Sequence, residues 1–217
     1  MKLFIDSGNI KDIEALVAIG IIDGVTTNPT LLAKEPGDYR ENLKKICQIV
    51  KGPVSGEVTA VDVAGMLQQG REIAKIDQHM IVKVPLTRAG IQACKTLSGD
   101  GIRVNVTLCF SAAQALLAAK AGATYVSPFV GRLDDIAANG MNLIREIVDI
   151  YDNYDFTTEV LVASCRHPIH VTEAARMGAD IATCPPAVID QLFNHPLTNI
   201  GLEKFLKDWE ASQAVKA

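Results

Sequence analysis

Short apolar runs alternate with segments of helical periodicity along the whole chain. The runs, rich in β-branched and aromatic residues, span 2–6, 23–28, 54–58, 80–84, 103–107, 124–129, 159–164 and 180–184. The segments that repeat apolar residues three and four positions apart are 10–19, 40–50, 62–76, 88–98, 112–121, 139–151 and 169–177. The pattern predicts eight strands alternating with helices.

Residues typical of helix ends fall at the predicted boundaries. Asp62 precedes Val63, and Ser111 is followed three residues later by Gln114, the spacing of a capping box. Glycine stands just before a strand in three similar stretches, "AIGIIDGVTTNP", "AKAGATYVSPF" and "ARMGADIATCPP". We interpret them as repeats of one βα unit in which Gly20, Gly122 and Gly178 end helices.

This order of elements predicts a single-domain α/β fold, a (β/α)8 (TIM) barrel over residues 1–217. No linker divides the chain. An open doubly wound sheet is the alternative, but neither G-x-G-x-x-G nor G-x-x-x-x-G-K-[ST] is present to favour it.

The last segment, about 198–212, reads as an extra C-terminal helix. Its Leu202, Phe205, Leu206 and Trp209 fall at i, i+3, i+4 and i+7. We expect this stripe to cover either the barrel or a neighbouring subunit.

The composition excludes several classes of partner and site. The formal net charge of −4 and the pI near 5.6 give no basic field, so we expect no nucleic-acid partner. No run approaches the roughly 18 apolar residues of a membrane span, and residues 1–6 are too short for a signal peptide, so we expect a soluble, cytoplasmic protein. The five cysteines are scattered and odd in number, which argues against a disulfide framework or a zinc knuckle.

Polar residues close most of the predicted strands. In a barrel the active site lies at the carboxyl ends of the strands, and residues two apart on a strand face the same side. Asn105 then shares a face with Thr107, Thr26 with Asn28, and Arg166 with Ser164 if the extended conformation continues. The residues expected in one pocket are Asp6, Asn28, Glu57, Lys83, Asn105, Thr107, Ser127, Phe129, Ser164 and Arg166.

Each of these residues also has a structural explanation. Lys83 follows Met80–Val82 in a predicted buried strand, where an ammonium costs several kcal/mol, yet it could pair with Glu57 or extend its amine to solvent. Asp6 and Asn28 have the setting of turn or cap residues.

Two arginines follow the sixth and seventh strands, where the late loops of such barrels bind phosphate. Arg132 could instead pair with Asp134 or Asp135, and Arg166 could simply lie in a loop.

Two further candidates are weaker. His167 and His170 have i, i+3 spacing, but only two other histidines and no carboxylate motif accompany them, so we expect no metal site. Cys165 lies near His167, but neighbours on a strand end point apart, and we expect a buried structural cysteine.

The pocket chemistry favours a reaction that needs no metal and no cofactor. Desolvation disfavours an ammonium, and a free amine can attack a ketone to form a Schiff base, an electron sink for carbon–carbon cleavage. Asp6 and Glu57 could move protons, Thr107 could position a water, and Arg132 with Arg166 could hold a phosphate.

The same residues carry a resemblance to a known family. The stretches are "DSGN" (6–9), "GVTTNPTLL" (24–32), "VSGEV" (54–58), "IVKVPLT" (81–87), "NVTL" (105–108), "AGATYVSPFVGRLDD" (121–135) and "VASCRHP" (162–168). They resemble the motifs of the transaldolase family nearly end to end. The length is similar to the short subfamily that groups small transaldolases with fructose-6-phosphate aldolases.

The resemblance implies a role for each site residue. Lys83 would form the Schiff base, Asp6 would take the proton that drives cleavage, and Glu57 with Thr107 would hold the catalytic water. Asn28 and Asn105 would bind hydroxyls of a dihydroxyacetone unit, and Ser127 and Ser164 would line the site. The sugar phosphate would lie against Arg132 and Arg166.

It also implies the reaction, the transfer of dihydroxyacetone from sedoheptulose 7-phosphate to glyceraldehyde 3-phosphate in the non-oxidative pentose phosphate pathway. The related aldolases carry glutamine in place of Glu57 and tyrosine in place of Phe129, and a phenylalanine cannot protonate the enamine. Two alternatives stay open: a fructose-6-phosphate aldolase, and a non-catalytic sugar-phosphate-binding barrel. Short members assemble as rings through the C-terminal helix, so the resemblance implies a homo-oligomer, with a decamer among the expected sizes.

Overall fold

A computed structural model describes residues 1–216 and shows the predicted barrel. Eight parallel strands close in sequence order, each paired with its neighbours and β1 paired with β8. They are β1 Lys2–Asp6, β2 Gly24–Thr26, β3 Val54–Glu57, β4 Met80–Pro85, β5 Val104–Cys109, β6 Tyr125–Pro128, β7 Glu159–Val162 and β8 Ile181–Cys184. The (β/α)8 prediction is therefore confirmed, and the open-sheet alternative is wrong.

Helices surround this sheet and follow the predicted order. They are α1 Ile10–Val17, α2 Pro29–Leu32, α3 Tyr39–Val50, α4 Val63–Ala74, α5 Arg88–Gly99, α6 Ala112–Ala121, α7 Val130–Asp134, α8 Gly140–Asn153, α9 Pro168–Met177, α10 Pro186–Phe193 and α11 Pro196–Lys216. Seven of the eight predicted helices match within a few residues, and α11 exceeds the predicted 198–212 at both ends.

The apolar residues form two separate cores. The larger lies between the sheet and the helices, where Ile13, Ile46 and Ile144 are fully buried. The smaller fills the barrel interior with Phe4, Ile81, Tyr125, Leu161, Ala163 and Ile181. Since these side chains plug the barrel below its carboxyl ends, the polar residues above them form the floor of a cleft.

Helix ends are fixed by most of the expected residues, and Gly20 is the exception, because the C-cap of α1 is Ala18. Asp62 accepts a hydrogen bond from Gly65 N (2.9 Å), and Gly122 and Gly178 end α6 and α9 in the left-handed conformation. Ser111 accepts from Gln114 N (3.2 Å), but the Gln114 side chain accepts from Phe110 N (2.8 Å). Half of the predicted capping box therefore forms, and its second bond is displaced by one residue.

Three short helices, α2, α7 and α10, were not predicted. Two of them continue directly from segments that close the cleft: Asn28 caps α2 by accepting from Leu31 N (2.9 Å), and α7 begins immediately after Phe129. Both helices therefore bring their N-termini to the carboxyl end of the barrel.

The apolar stripe of α11 lies exposed in this single chain. Phe205 is 72% exposed and Trp209 is 64% exposed. Of the two coverings predicted for the stripe, burial against its own barrel is therefore wrong. Among the helices of residues 1–216, none combines the length and the apolar character that a membrane span requires.

Candidate active site

Lys83 lies in the interior of the cleft at 5% exposure. Its Nζ donates to Thr27 O (3.2 Å) and forms an ion pair with Glu57 Oε2 (3.1 Å). The pairing follows from register, because Glu57 on β3 stands opposite Lys83 on β4. The amine of this residue, which lies within the apolar strand β4, is thus held by one carbonyl and one carboxylate.

Asp6 enters the same cleft from the end of β1. Its Oδ1 accepts from Thr26 Oγ1 (2.8 Å), and Thr26 Oγ1 also lies 2.7 Å from Thr183 Oγ1 on β8. Burial raises the pKa of Asp6, while the charge of Lys83 and the Thr26 hydrogen bond pull it down. A carboxyl group whose pKa is raised toward neutrality is suited to taking and returning a proton. The N-cap of α1 is Asn9, and Asp6 is the last residue of β1, so the cap explanation of Asp6 is wrong.

A chain of hydrogen bonds supports the floor of the cleft. Ser127 Oγ donates to Asn105 Oδ1 (2.8 Å), and Asn105 Nδ2 donates to Ser55 Oγ (3.2 Å). These three residues are almost completely buried. Because both polar ends of Asn105 are engaged, its side chain has one fixed orientation.

Thr107 contributes a buried hydroxyl of a different kind. Among the described residues, its Oγ1 is buried without a hydrogen-bond partner. Buried hydroxyls nearly always have a partner, so this group is available to a ligand or a water. Leu108, the next residue, adopts a positive φ of 60° within β5, where the register with β6 shifts between Val106 and Cys109.

Both arginines lie at the rim. The Cζ of Arg132 lies 5.1 Å from the centroid of the Phe129 ring, within the range of a cation–π contact. Arg166 pairs with Asp135 Oδ2 (2.9 Å). Arg132 forms no ion pair within residues 1–216, so the surface pairing considered for Arg132 is wrong, and it occurs at Arg166 instead.

Two cavities at this end of the barrel share four lining residues, Asn28, Lys83, Phe129 and Arg132. The first, of about 180 Å³, is also lined by Asp6, Ser127, Ser164 and Arg166. The second, of about 390 Å³, adds Glu57 and Thr107. Asn105 lines neither, and it lies behind the wall where it holds Ser127. The other predicted site residues therefore meet around one continuous cleft.

The parity argument fails at one point. Ser164 has a φ of +60°, so the extended conformation predicted for 159–164 ends before it. Ser164 and Arg166 both line the cleft because of this left-handed turn and not because they share a strand face. A non-glycine residue in this region is strained, and such strain often marks a functional site.

Comparison with known proteins identifies the family. Residues 3–216 match the family model described as Transaldolase/Fructose-6-phosphate aldolase. The chain belongs to this family.

Several curated relatives are similar over nearly their whole length. A protein named probable transaldolase from Methanococcus vannielii is 59% identical over 211 residues, which covers 97% of this chain and 98% of that protein. Proteins of the same name from Kosmotoga olearia and Anaeromyxobacter dehalogenans are 57% and 59% identical, each over 97% of this chain and over 96% and 97% of their own lengths.

Among solved structures, a thiamine phosphate pyrophosphorylase from Pyrococcus furiosus is similar with a TM-score of 0.59. The identity is 16%, over 86% of each chain. This likeness concerns the fold alone.

A second polar cluster lies beside the cleft of this transaldolase-family barrel. Ligand atoms of Asp134, His167 and His170 lie within 4.8 Å of one another. His170 Nδ1 accepts from Arg166 N (3.2 Å), so Nε2 carries the proton and donates to Asp134 Oδ2 (2.8 Å). A histidine that binds a metal ordinarily donates the N–H of its other nitrogen, and at His170 that nitrogen faces a donor. The cluster is therefore better explained as a structural hydrogen-bond network than as a metal centre.

The thiols are poorly suited to nucleophilic chemistry. All five cysteines are buried and free. A hydrogen bond with Cys184 and burial raise the pKa of Cys165 well above its ordinary value, and burial raises that of Cys109 to about 12. A nucleophilic cysteine needs a lowered pKa, which agrees with a structural role for Cys165.

The sequence did not reveal the residues that support the predicted site residues through hydrogen bonds. Thr183, which contacts Thr26, breaks an apolar run at β8, and that polar residue was the available signal. Asp134 and His170 are 36 residues apart and lie on different helices, so no local pattern connects them.

Proposed function

We propose that the protein is a transaldolase that transfers a dihydroxyacetone unit from sedoheptulose 7-phosphate to glyceraldehyde 3-phosphate through a Schiff base on Lys83. The observation that carries this proposal is the buried Lys83 amine, 3.1 Å from Glu57 and in one cleft with Asp6. The products are erythrose 4-phosphate and fructose 6-phosphate.

In the first half-reaction the Lys83 amine attacks the ketone carbon, and water leaves to give a protonated imine. Asp6 takes the proton of the hydroxyl on the far side of the bond to be broken. The carbon–carbon bond then cleaves, its electron pair moves into the imine, and erythrose 4-phosphate leaves. The raised pKa of Asp6 supports its role as the group that accepts this proton.

In the second half-reaction the enamine attacks the aldehyde of glyceraldehyde 3-phosphate, and Asp6 returns the proton. A water held by Glu57 and Thr107 then hydrolyses the imine and releases fructose 6-phosphate. The partnerless Oγ1 of Thr107 supports this water site. Phe129 has no hydroxyl to protonate the enamine, so the intermediate waits for an acceptor, which favours transfer over simple cleavage.

Asn28 and Ser127 would bind the hydroxyls of the three-carbon unit, and the buried Asn105 would hold Ser127 in place from behind. Ser164 would line the cleft beside Arg166. The phosphate would lie between Arg132 and Arg166 at the rim, since guanidinium groups match phosphate geometry. When phosphate binds, Arg166 would give up its exposed contact with Asp135 or bind both anions at once. An exposed pair of this kind is worth little, so the exchange is inexpensive.

Borohydride trapping tests the proposal. The protein is incubated with fructose 6-phosphate, reduced, digested and analysed by mass spectrometry. We expect a three-carbon adduct on Lys83 and none in Lys83→Met. Lys34→Met, at an exposed lysine, serves as the matched control and should form the adduct normally.

The result separates the alternatives. An adduct that discharges as free dihydroxyacetone without an acceptor would favour a fructose-6-phosphate aldolase. Binding of fructose 6-phosphate without an adduct on any lysine would favour a non-catalytic sugar-phosphate-binding barrel and overturn the proposal.

We also propose that the chain forms a homo-oligomer through α11. Leu202, Phe205 and Trp209 are each more than half exposed on one face of α11, and contiguous exposed apolar side chains often mark an interface between proteins. Light scattering should give a mass of several subunits for the wild type and a smaller one for Phe205→Glu. A monomeric wild type would refute this assembly. The cytoplasmic location stays a prediction.

A further inference from the structure

His170 is a buried histidine outside the predicted catalytic set. It lies in the first turn of α9 at 4% exposure, and both of its ring nitrogens are engaged. Nδ1 accepts from the backbone of Arg166, and Nε2 donates to the carboxylate of Asp134. The ring thus connects the loop after β7 with the end of α7.

Asp134 is itself anchored. Its Oδ1 accepts from Gly140 N (2.9 Å) at the start of α8, while its Oδ2 accepts from His170. It lies two residues after Arg132. Because the carboxylate is held on both sides, His170 fixes the Arg166 backbone relative to the short helix that carries Arg132.

Other contacts join the same two segments. Val130 N donates to Ala163 O (3.1 Å), and Gly131 N donates to Ser164 O (3.2 Å). These bonds hold the start of α7 against the end of β7, and the His170 bridge continues the connection past Arg166. The contact between Arg166 and Asp135 is an exposed ion pair, which is too weak to define the position of the loop alone.

The protonation state of His170 agrees with this geometry. Burial and the nearby His167 lower its pKa, partly opposed by Asp134, so the ring is neutral at neutral pH. A neutral ring can accept from Arg166 and donate to Asp134 at once, whereas a protonated ring has no acceptor.

We propose that His170 is a positioning residue for the substrate phosphate, holding Arg166 and Arg132 at the separation at which both can bind one phosphate group. This role rests on the proposed function. Two arginines on independent loops would bind phosphate less well, because binding would have to order both loops.

Two variants separate the two hydrogen bonds. In His170→Asn the amide oxygen can replace Nδ1 as acceptor from Arg166, but the side chain is too short to reach Asp134. In His170→Gln the amide nitrogen can replace Nε2 as donor to Asp134, but the acceptor position is lost. The control is His79→Gln, which removes another histidine–carboxylate contact, made by His79 Nδ1 (His79–Asp77, 2.8 Å), at the amino end of β4.

Two measurements report on the two ends of the site. KM for fructose 6-phosphate depends on the phosphate end, while borohydride trapping with unphosphorylated dihydroxyacetone tests the Lys83 end without any phosphate. We expect each His170 variant to raise KM about tenfold, the effect of one lost positioning hydrogen bond, with kcat and trapping within about twofold of the wild type. His79→Gln should change neither.

An unchanged KM in both variants would overturn the inference, and so would an equal loss in KM and in dihydroxyacetone trapping, which would indicate a merely structural residue. If the His170 variants do not fold, Asp134→Asn tests the same bond from its partly exposed side and should raise KM about threefold; an unchanged KM would again overturn it. Failure of the wild type to form any adduct would instead reject the proposed function.

Discussion

Gly131 offers a sharp test of how the phosphate end is built. A Cβ added at this position would lie 2.2 Å from Ser164 O, 2.6 Å from Arg166 Nε and 2.8 Å from Arg166 Cγ. Ordinary contact begins near 3.4 Å, so the nearest atom would have to move by about 1 Å. That atom is a backbone oxygen which already accepts a hydrogen bond from Gly131 N, and it cannot move without shifting the loop that carries Arg166.

Gly131→Ala should therefore change stability and substrate binding together. Overpacking of this kind costs about 1–3 kcal/mol, which lowers Tm by about 2–4 °C per kcal/mol in a domain of this size. A displacement near 1 Å at a substrate-positioning group can reduce catalysis by as much as about a hundredfold. We expect KM for fructose 6-phosphate to rise by at least about tenfold, with trapping of unphosphorylated dihydroxyacetone unchanged.

Gly99→Ala is the matched control. Gly99 is the last residue of α5, and a Cβ there would meet nothing within 4 Å. Alanine has a higher helix propensity than glycine, so this variant should be neutral or stabilised by up to about 1 kcal/mol, with an unchanged KM. The assays are urea denaturation and steady-state kinetics. A Gly131→Ala variant as stable as the wild type and with the same KM would show that the close approach at α7 does not position Arg166.

Three further outcomes follow from other residues. Phe129→Tyr should increase the release of free dihydroxyacetone in the absence of an acceptor, measured with a coupled dehydrogenase; no increase would contradict the role given to Phe129. Asp6→Asn should abolish transfer yet raise Tm at neutral pH. Burial raises the pKa of Asp6, so its charged form destabilises the fold above that pKa. A lowered Tm would contradict this. His170 has a pKa lowered from 6.5, so the unfolded chain binds more protons than the folded protein just below that pH. The free energy of unfolding should therefore fall on acidification more steeply in the wild type than in His170→Asn. Equal dependence of the unfolding free energy on pH in the two proteins would contradict this.

The barrel could be predicted because its strands are buried on both faces. Runs such as Met80–Pro85 are almost wholly apolar, and glycine at 122 and 178 separates helix from strand. The short helices α2 and α7 could not be predicted in this way. They contain four and five residues, too few for a periodic pattern, and they exist because neighbouring groups satisfy their ends.

Site residues were predictable to the extent that the strands position them. Glu57, Lys83 and Asn105 follow from register, since Glu57 pairs with Lys83 and Lys83 with Asn105 across adjacent strands. The rim was less predictable, because Ser164 leaves the strand conformation and Arg166 takes Asp135 as its partner. A turn with positive φ and a long-range ion pair depend on tertiary contacts that no sequence window contains.

The two ends of the cleft therefore differ in how they are held. Lys83 and Asp6 project from strands whose partners are fixed on both sides by the closed sheet, so their geometry is shared with the barrel itself. Arg132 and Arg166 lie on segments joined by a few backbone hydrogen bonds and by the His170–Asp134 bridge. Changes at the rim should thus alter recognition of the phosphate while leaving the amine chemistry intact. Changes at the strand ends should alter the chemistry itself, so the two classes of variant should separate in KM and kcat.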